Sequence, residues 1–255
     1  MFVFIKMIYF FSFINGNEPK LLYYFLKYYI DLGIINTNMF IIIHISSITN
    51  ETDESINYLK KYNIKYKISK NYSSEIKTSF VNKYIKSLPI NSYLIYPDLD
   101  EFFYYNGMII NEYINFMEKK KYIMAKGEFC NRIGAENEIC DIDISKETIF
   151  EQFPVNFYDK KNKITKNISY NKKKICALKL IENVKYKNSH TINIEYKHVS
   201  NLIVYHFKYT IYTINNIKNK IKVYKNDTFK YQMYSNQLSL FTKKNNKFYL
   251  CLKSR

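Results

Sequence analysis

Apolar and polar positions follow two alternating regimes through the first hundred residues. The opening run MFVFIKMIYFFSFI is apolar at nearly every position, the pattern of a strand covered on both faces. In the next segment, NGNEPKLLYYFLKYYIDLG, residues Leu21, Leu22, Phe25, Leu26 and Tyr29 recur at helical spacing. Asn17 stands where it can cap this helix, Glu18 and Pro19 suit its first turn, and Gly33 suits its end. The Ile-rich run NMFIIIHI is a second buried strand, TDESINYLKKY a helix with Thr52 as its cap, and IKYKI a third strand. SEIKTSFVNKYIKSL is a helix stopped by Pro89, and SYLIYPDLD begins as a fourth apolar strand.

Strand, helix, strand, helix, strand, helix, strand is the order that builds a parallel α/β sheet. Beyond it the pattern loosens. MIINEYINFMEKK reads as a helix and KYIMAKGEF as a strand. Short strand-like runs fall at 174–180 and 200–207, and YTIYTINNIKNKIKVY reads as a helix. The last stretch, from 226 on, has no clear period and is expected to be a loosely held tail.

Composition changes one part of this picture. The 255 residues carry a formal charge of +17. The cations are almost all lysines, with arginine only at positions 132 and 255, while Lys, Ile, Asn, Tyr and Phe dominate. That is the profile of AT-rich codons, so the charge is discounted as a sign of nucleic-acid binding. Lysines spread over the whole chain also argue against a basic face that grips nucleic acid. Cys130, Cys140, Cys176 and Cys251 lack metal-ligand spacing and read as free thiols of a reducing compartment. The N-terminal apolar run is interrupted by Lys6, is too short to span a bilayer and has no small-residue cleavage site after it. It is read as a core strand, with a signal anchor as the alternative, and the expected location is cytoplasmic.

Chemistry concentrates in YLIYPDLDEFF. Side chains two apart on a strand share a side, so Asp98 and Asp100 are expected to point together, with Leu99 towards the core. Two carboxylates aimed at one point are stable together around a hard divalent cation. In a parallel α/β sheet the carboxyl ends of the strands are where ligands bind.

NGNEPKLLYYFLKYYIDLGI, then MFIIIH, then YLIYPDLDEFF resemble glycosyltransferases of the GT-A fold. The likeness is to the family-2-like and family-92-like group with a D-x-D-E-F signature. Weaker echoes are EQFP at 151–154, NSH at 188–190 and HFK at 206–208. The family's Trp before the strand is Tyr93 here. The resemblance implies a GT-A-like (Rossmann-like), mostly parallel sheet flanked by helices, with an irregular C-terminal portion. It implies a domain over about 1–225, with a nucleotide-binding half to about 105, an acceptor half from 106, and a tail over 226–255.

The same resemblance implies transfer of a sugar from a UDP- or GDP-linked donor to a glycan or other hydroxyl acceptor, with Mn²⁺ or Mg²⁺. Asp98 and Asp100 would hold the ion, with His206 as a third ligand and His190 as its rival. Asn17, Glu18, His44 and Lys208 would line the nucleotide. Glu101 would be a structural acid or an acceptor for a backbone or sugar group. Arg132 stands out in a lysine-rich chain as a planar, two-pronged grip for phosphate or carboxylate. Relatives carry an acid where Asn131 sits. Asp141, Asp143 and Glu151 are candidates for the base that an inverting transfer needs. Two rival readings are a metal-dependent nuclease, on PD at 97–98 and EKK at 118–120, and a non-catalytic nucleic-acid-binding protein. Glu118 closes a helical pattern, whereas the nuclease motif needs a strand there.

Overall fold

A computed structural model of the chain describes residues 6–45, 48–157 and 173–250. The first elements are β1 (Ile8–Asn15), α1 (Pro19–Asp31), β2 (Met39–His44), α2 (Asn50–Lys61), β3 (Lys65–Ser69), α3 (Ser74–Lys86) and β4 (Tyr93–Ile95), in the order that the sequence predicts. Then come β5 (Glu101–Tyr104), α4 (Ile110–Lys119), β6 (Met124–Ile133), β7 (Glu138–Ile139), α5 (Ile149–Gln152), β8 (Val155–Phe157) and β9 (Lys174–Lys179). The rest are β10 (Tyr186–Asn188), β11 (Thr191–Ile192), β12 (His198–His206), α6 (Ile211–Val223), α7 (Thr228–Leu238), β13 (Phe241–Lys244) and β14 (Lys247–Leu250).

The fold is α/β, with a large mixed sheet and helices. The chain divides into two compact units, one containing residues up to Phe129 and Lys172–Val204, the other Cys130–Asn171 and the chain from Tyr205. In the first unit the strand order is β3-β2-β1-β4-β9-β6-β12-β5. β3, β2, β1 and β4 are parallel neighbours, as expected. β9 then runs antiparallel to both β4 and β6, so the sheet is mixed beyond β4. Strands 1 to 3 step outward on one side of β1 and strand 4 returns to its other side. That reversal lies between β1 and β4, and the carboxyl ends of strands at such a reversal are where open α/β sheets bind ligands.

The sheet's apolar strands dictate its core. Phe10, Phe11, Ile41, Ile42, Leu94 and Ile95 have no exposed surface. Val81 and Ile85 of α3 pack into a cluster with Phe11, Phe13, Leu94 and Leu178. On α1, the stripe Leu21, Leu22, Phe25, Leu26 and Tyr29 is buried. Phe25 and Tyr29 meet Phe10 edge-on or tilted at 5.7 and 4.8 Å.

Caps show two local differences. α2 begins one turn earlier than expected: Thr49 is its cap, and Thr52 closes a reciprocal capping box with it. Asn17 does not cap α1. Its backbone N–H instead donates to Asn15 Oδ1 at 3.2 Å, and Pro19 opens the helix.

The second unit is built around Ile133, Ile139, Tyr209, Ile214 and Leu250, with Phe241, Phe248 and Leu238 packed against them. Residues from 226 on, expected to be loosely held, form α7 and the hairpin β13–β14, and β14 pairs with β7. Their weak periodicity reflects half-exposed positions; α7 has no buried residue. Cys130, Cys140 and Cys176 are free thiols. No helix among the described residues is long and apolar enough to cross a membrane. The first five residues of the expected opening strand, with Cys251 and Arg255, lie outside the described residues.

Candidate active site

β4 ends at Ile95, so the acids that follow lie in a turn between β4 and β5. Strand alternation, the basis for expecting Asp98 and Asp100 on one side, therefore does not apply to them. Backbone and side-chain bonds hold the turn. Ser12 Oγ of β1 donates to Pro97 O at 2.8 Å. The Asp98 N–H donates to Glu101 Oε2 at 2.8 Å, and the Glu101 N–H donates back to Asp98 O at 3.0 Å. Tyr29 Oη of α1 donates to Glu101 O at 2.9 Å and accepts from Phe103 N at 3.2 Å, while Tyr28 Oη donates to Phe103 O at 2.8 Å. One face of α1 thus secures the chain that leaves the turn.

The opposite of Asp98 is a pair of lysines. Lys77 Nζ of α3 donates to Asp98 Oδ1, and Lys174 Nζ of β9 lies 3.4 Å from the same oxygen. Lys174 is wholly buried and pairs more closely with Glu101 Oε2, at 2.7 Å. Both ammonium groups also face the Tyr96 ring, at 5.6 Å for Lys77 and 5.3 Å for Lys174. Burial pushes the Asp98 carboxyl up. Lys174, then Lys77, then His190 outweigh it and hold the group well below the usual carboxylate range. Glu101, more deeply buried, is pushed up by desolvation and by the Asp98 charge. Lys174 is held above the usual lysine range, because the two carboxylates overcome the penalty of its burial.

The two lysines bear on whether Asp98 suits a metal ion. Asp98 Oδ1 already takes two ammonium groups, which leaves Oδ2 as the oxygen that could turn to a cation. Asp100 and Glu18 fit better. Both offer hard oxygen donors, from the turn after β4 and the loop after β1. Desolvation, then the Asp100 charge, raise the Glu18 carboxyl to about 8, against a lowering by its hydrogen bond with Asn15. A hard cation between them would take the place of that proton. Among the described residues no group of three or more His, Cys, Asp or Glu is placed to hold a metal ion.

Other groups gather at the same edge of the sheet. Gly16 packs so closely that a Cβ would lie 3.1 Å from His44 O, and its N–H donates to that oxygen at 2.9 Å. Ser55 Oγ of α2 donates to Gly16 O at 2.7 Å. Asn17 Oδ1 is buried and finds no hydrogen-bond partner among the described residues. The His44 ring, at the end of β2, lies 5.7 Å from Tyr72, which is exposed. His190 sits beside Phe129, with ring centroids 6.1 Å apart, and its charge is felt at Asp98.

The remaining sequence candidates belong to the second unit. Arg132 on β6 and Asn156 on β8 are cross-strand partners, and Arg132 Nη1 donates to Asn156 Oδ1. Its guanidinium lies 5.2 Å from the Phe150 ring and 5.4 Å from the Tyr205 ring. His206 Nδ1 is 2.9 Å from Asn131 Oδ1. Glu151 lies exposed in the first turn of α5, with Thr148 Oγ1 donating to Oε1 at 3.3 Å. Asp141 Oδ1 accepts from the Ile142 N–H, and Asp143 Oδ1 from the Ser145 N–H, each at 2.9 Å. Lys208 Nζ faces the Tyr209 ring at 5.6 Å.

Lys77 and Lys174 were not legible as site residues. Lys174 opens an apolar strand, but in a chain so rich in lysine that position carries no signal. For the nuclease reading, Glu118 lies on α4 as its pattern predicts. It accepts from Tyr93 Oη at 2.8 Å and pairs with Lys179 at 2.9 Å.

The fold and site define an α/β protein with acids in the segments that follow β1 and β4, at a strand-order reversal. No family model matches the chain, and no curated protein does. Among solved structures, S. aureus TarS is similar in part. One crystal structure is 12% identical over 51% of this chain and 22% of that chain, with a TM-score of 0.34. A crystal structure of TarS 1–349 is 11% identical over 84% of this chain and 64% of that one, with a TM-score of 0.39. The chain therefore spans less than two thirds of either TarS chain. Likeness at this level carries no argument about activity.

Proposed function

We propose that the chain is a glycosyltransferase of the GT-A type that takes its sugar from a nucleoside diphosphate donor. The observation that carries the reading is the placement of Glu18 and Asp100 just after the carboxyl ends of β1 and β4, where the strand order reverses. Like-charged carboxylates in a crevice raise each other's affinity for positive charge. Mn²⁺ or Mg²⁺ held by Asp100 and Glu18 would supply charge against the diphosphate leaving group. Asp98, Glu101, Lys77 and Lys174 fix the turn that presents Asp100. The Asn17 Oδ1 acceptor can take a donor N–H from the base, and Tyr72 with His44 offers rings on which a base can stack. A hydroxyl acceptor must lose a proton as it attacks the sugar, which calls for a base beside it.

A thermal-shift screen of nucleoside diphosphates with and without Mn²⁺ tests the proposal. A ligand that binds only the folded chain raises its melting temperature by mass action. UDP or GDP with Mn²⁺ should stabilise wild type and fail to stabilise Asp100→Asn. Metal-dependent cutting of duplex DNA with no nucleotide effect would replace this reading with the nuclease.

A further inference from the structure

Arg132 is a buried cation for which the described residues provide no anion. Its exposure is 8%, and it forms no ion pair with any described residue. A guanidinium has five N–H donors in a fixed plane. One goes from Nη1 to Asn156 Oδ1 and one from Nη2 to Phe150 O at 3.3 Å. Nε is buried and has no partner among the described residues. The rings of Phe150 and Tyr205 lie near the guanidinium at 5.2 and 5.4 Å and offset part of the cost of burying it. Burial pulls the Arg132 pKa down; the groups that support the charge are Cys130 and Tyr205, neither of them a carboxylate.

Buried charges are ordinarily paired, and an orphaned buried donor costs free energy. The surroundings are also open to a ligand: Asn156 is exposed, and Phe150 and Tyr205 are half-buried. Arginine is costly for this chain to supply, since it uses lysine for nearly every other cation. What arginine adds is a planar fork that matches two oxygens at once.

We propose that Arg132, walled by Phe150 and Tyr205 and steadied by Asn156, is a binding site for a two-oxygen anion, a phosphate monoester or a carboxylate. The site lies wholly in the second unit and does not depend on the transferase reading. It would give this unit a preference for anionic ligands over neutral sugars.

Because the chain has only two arginines, the guanidinium Nε–H groups give at most two cross-peaks in a ¹⁵N correlation spectrum, and Arg255→Lys assigns them. Folded wild-type protein is titrated with inorganic phosphate, with glucuronate, and with glucose as the neutral comparison. The Arg132 cross-peak should shift saturably with phosphate or glucuronate and stay still with glucose. The tighter of the two anions separates a phosphate from a carboxylate source. Arg132→Lys keeps the charge and loses the fork, so the affinity, read for both proteins by isothermal titration calorimetry, should fall about tenfold or more, as loss of a charged hydrogen bond does. A cross-peak unmoved by either anion, or equal affinity in the lysine variant, would overturn the site and leave Arg132 a packed structural cation. UDP and Mn²⁺ binding is read separately, so failure here leaves the transferase reading standing, and the reverse.

Discussion

Two buried charge clusters in this molecule are finished to different degrees. Beneath the acidic turn, Lys174 and Lys77 face Asp98 and Glu101, so that two cations meet two anions. Around Arg132 one cation meets two rings, an amide and a carbonyl. The first cluster is closed: each charge has its counter-charge, and its work is to hold the backbone. The second lacks an anion among the described residues. The sequence treats Asp98 and Asp100 alike, as ligands of one ion; the two lysines on Asp98 Oδ1, and the Asp100 charge felt at Glu18, set them apart.

The largest expected effect is on the closed cluster. Lys174→Met leaves Asp98 and Glu101 buried with less compensation, and breaking a buried pair from one side costs about 3–5 kcal/mol. Urea unfolding measures it, and a loss under about 1 kcal/mol would mean that the pairing is not what holds the turn. Next is Asp100→Asn, which should lower sugar-transfer turnover by ~10²-fold with little change in stability. Asp98→Asn should do the opposite: unfold more easily while Mn²⁺ affinity stays near wild type. If Asp98→Asn abolishes Mn²⁺ binding and Asp100→Asn does not, the assignment of strut and ligand is exchanged. Tyr29→Phe removes the hydroxyl shared by Glu101 O and Phe103 N, and should cost about 1 kcal/mol.

A further effect appears in the pH dependence of stability. Glu18 holds its proton up to about 8 in the folded chain, against an ordinary value of 4.5. Between those values the folded state keeps a proton that the unfolded chain has released, so stability falls as pH rises through that window. Glu18→Gln should flatten this slope in metal-free buffer. An identical slope in the variant would remove Glu18 from the coupling with Asp100.

The sequence makes the first unit's parallel half legible because its signals are local. Ile41–Ile43 announce a buried strand and Leu22, Phe25 and Tyr29 a helix face, and each lies where its period predicts. The antiparallel insertion of β9 between β4 and β6 was not legible, because that pairing joins residues about 85 positions apart and no local pattern encodes it. The hairpin β13–β14 was missed for a different reason. Its strands bury one residue, Leu250, so no alternation stands out. At the site, residue type pointed to Asp98, Asp100, Glu18 and Arg132. It could not say which acid is neutralised, since that depends on which two of many lysines fold back onto the turn.

Gly16 sets a limit on how this chain can vary. A methyl group there would press on the His44 carbonyl at 3.1 Å and on the side chains of Ile43 and Ile45 at 3.2 and 3.1 Å. The carbonyl cannot retreat without lengthening the bond that it accepts from Gly16 N. In a deep mutational scan selected on folding, position 16 should therefore favour glycine and tolerate alanine better than any larger residue, while exposed Lys20 accepts substitutes. The loop after β1 would be recognisable in such a map by its size limit at one position rather than by any charge.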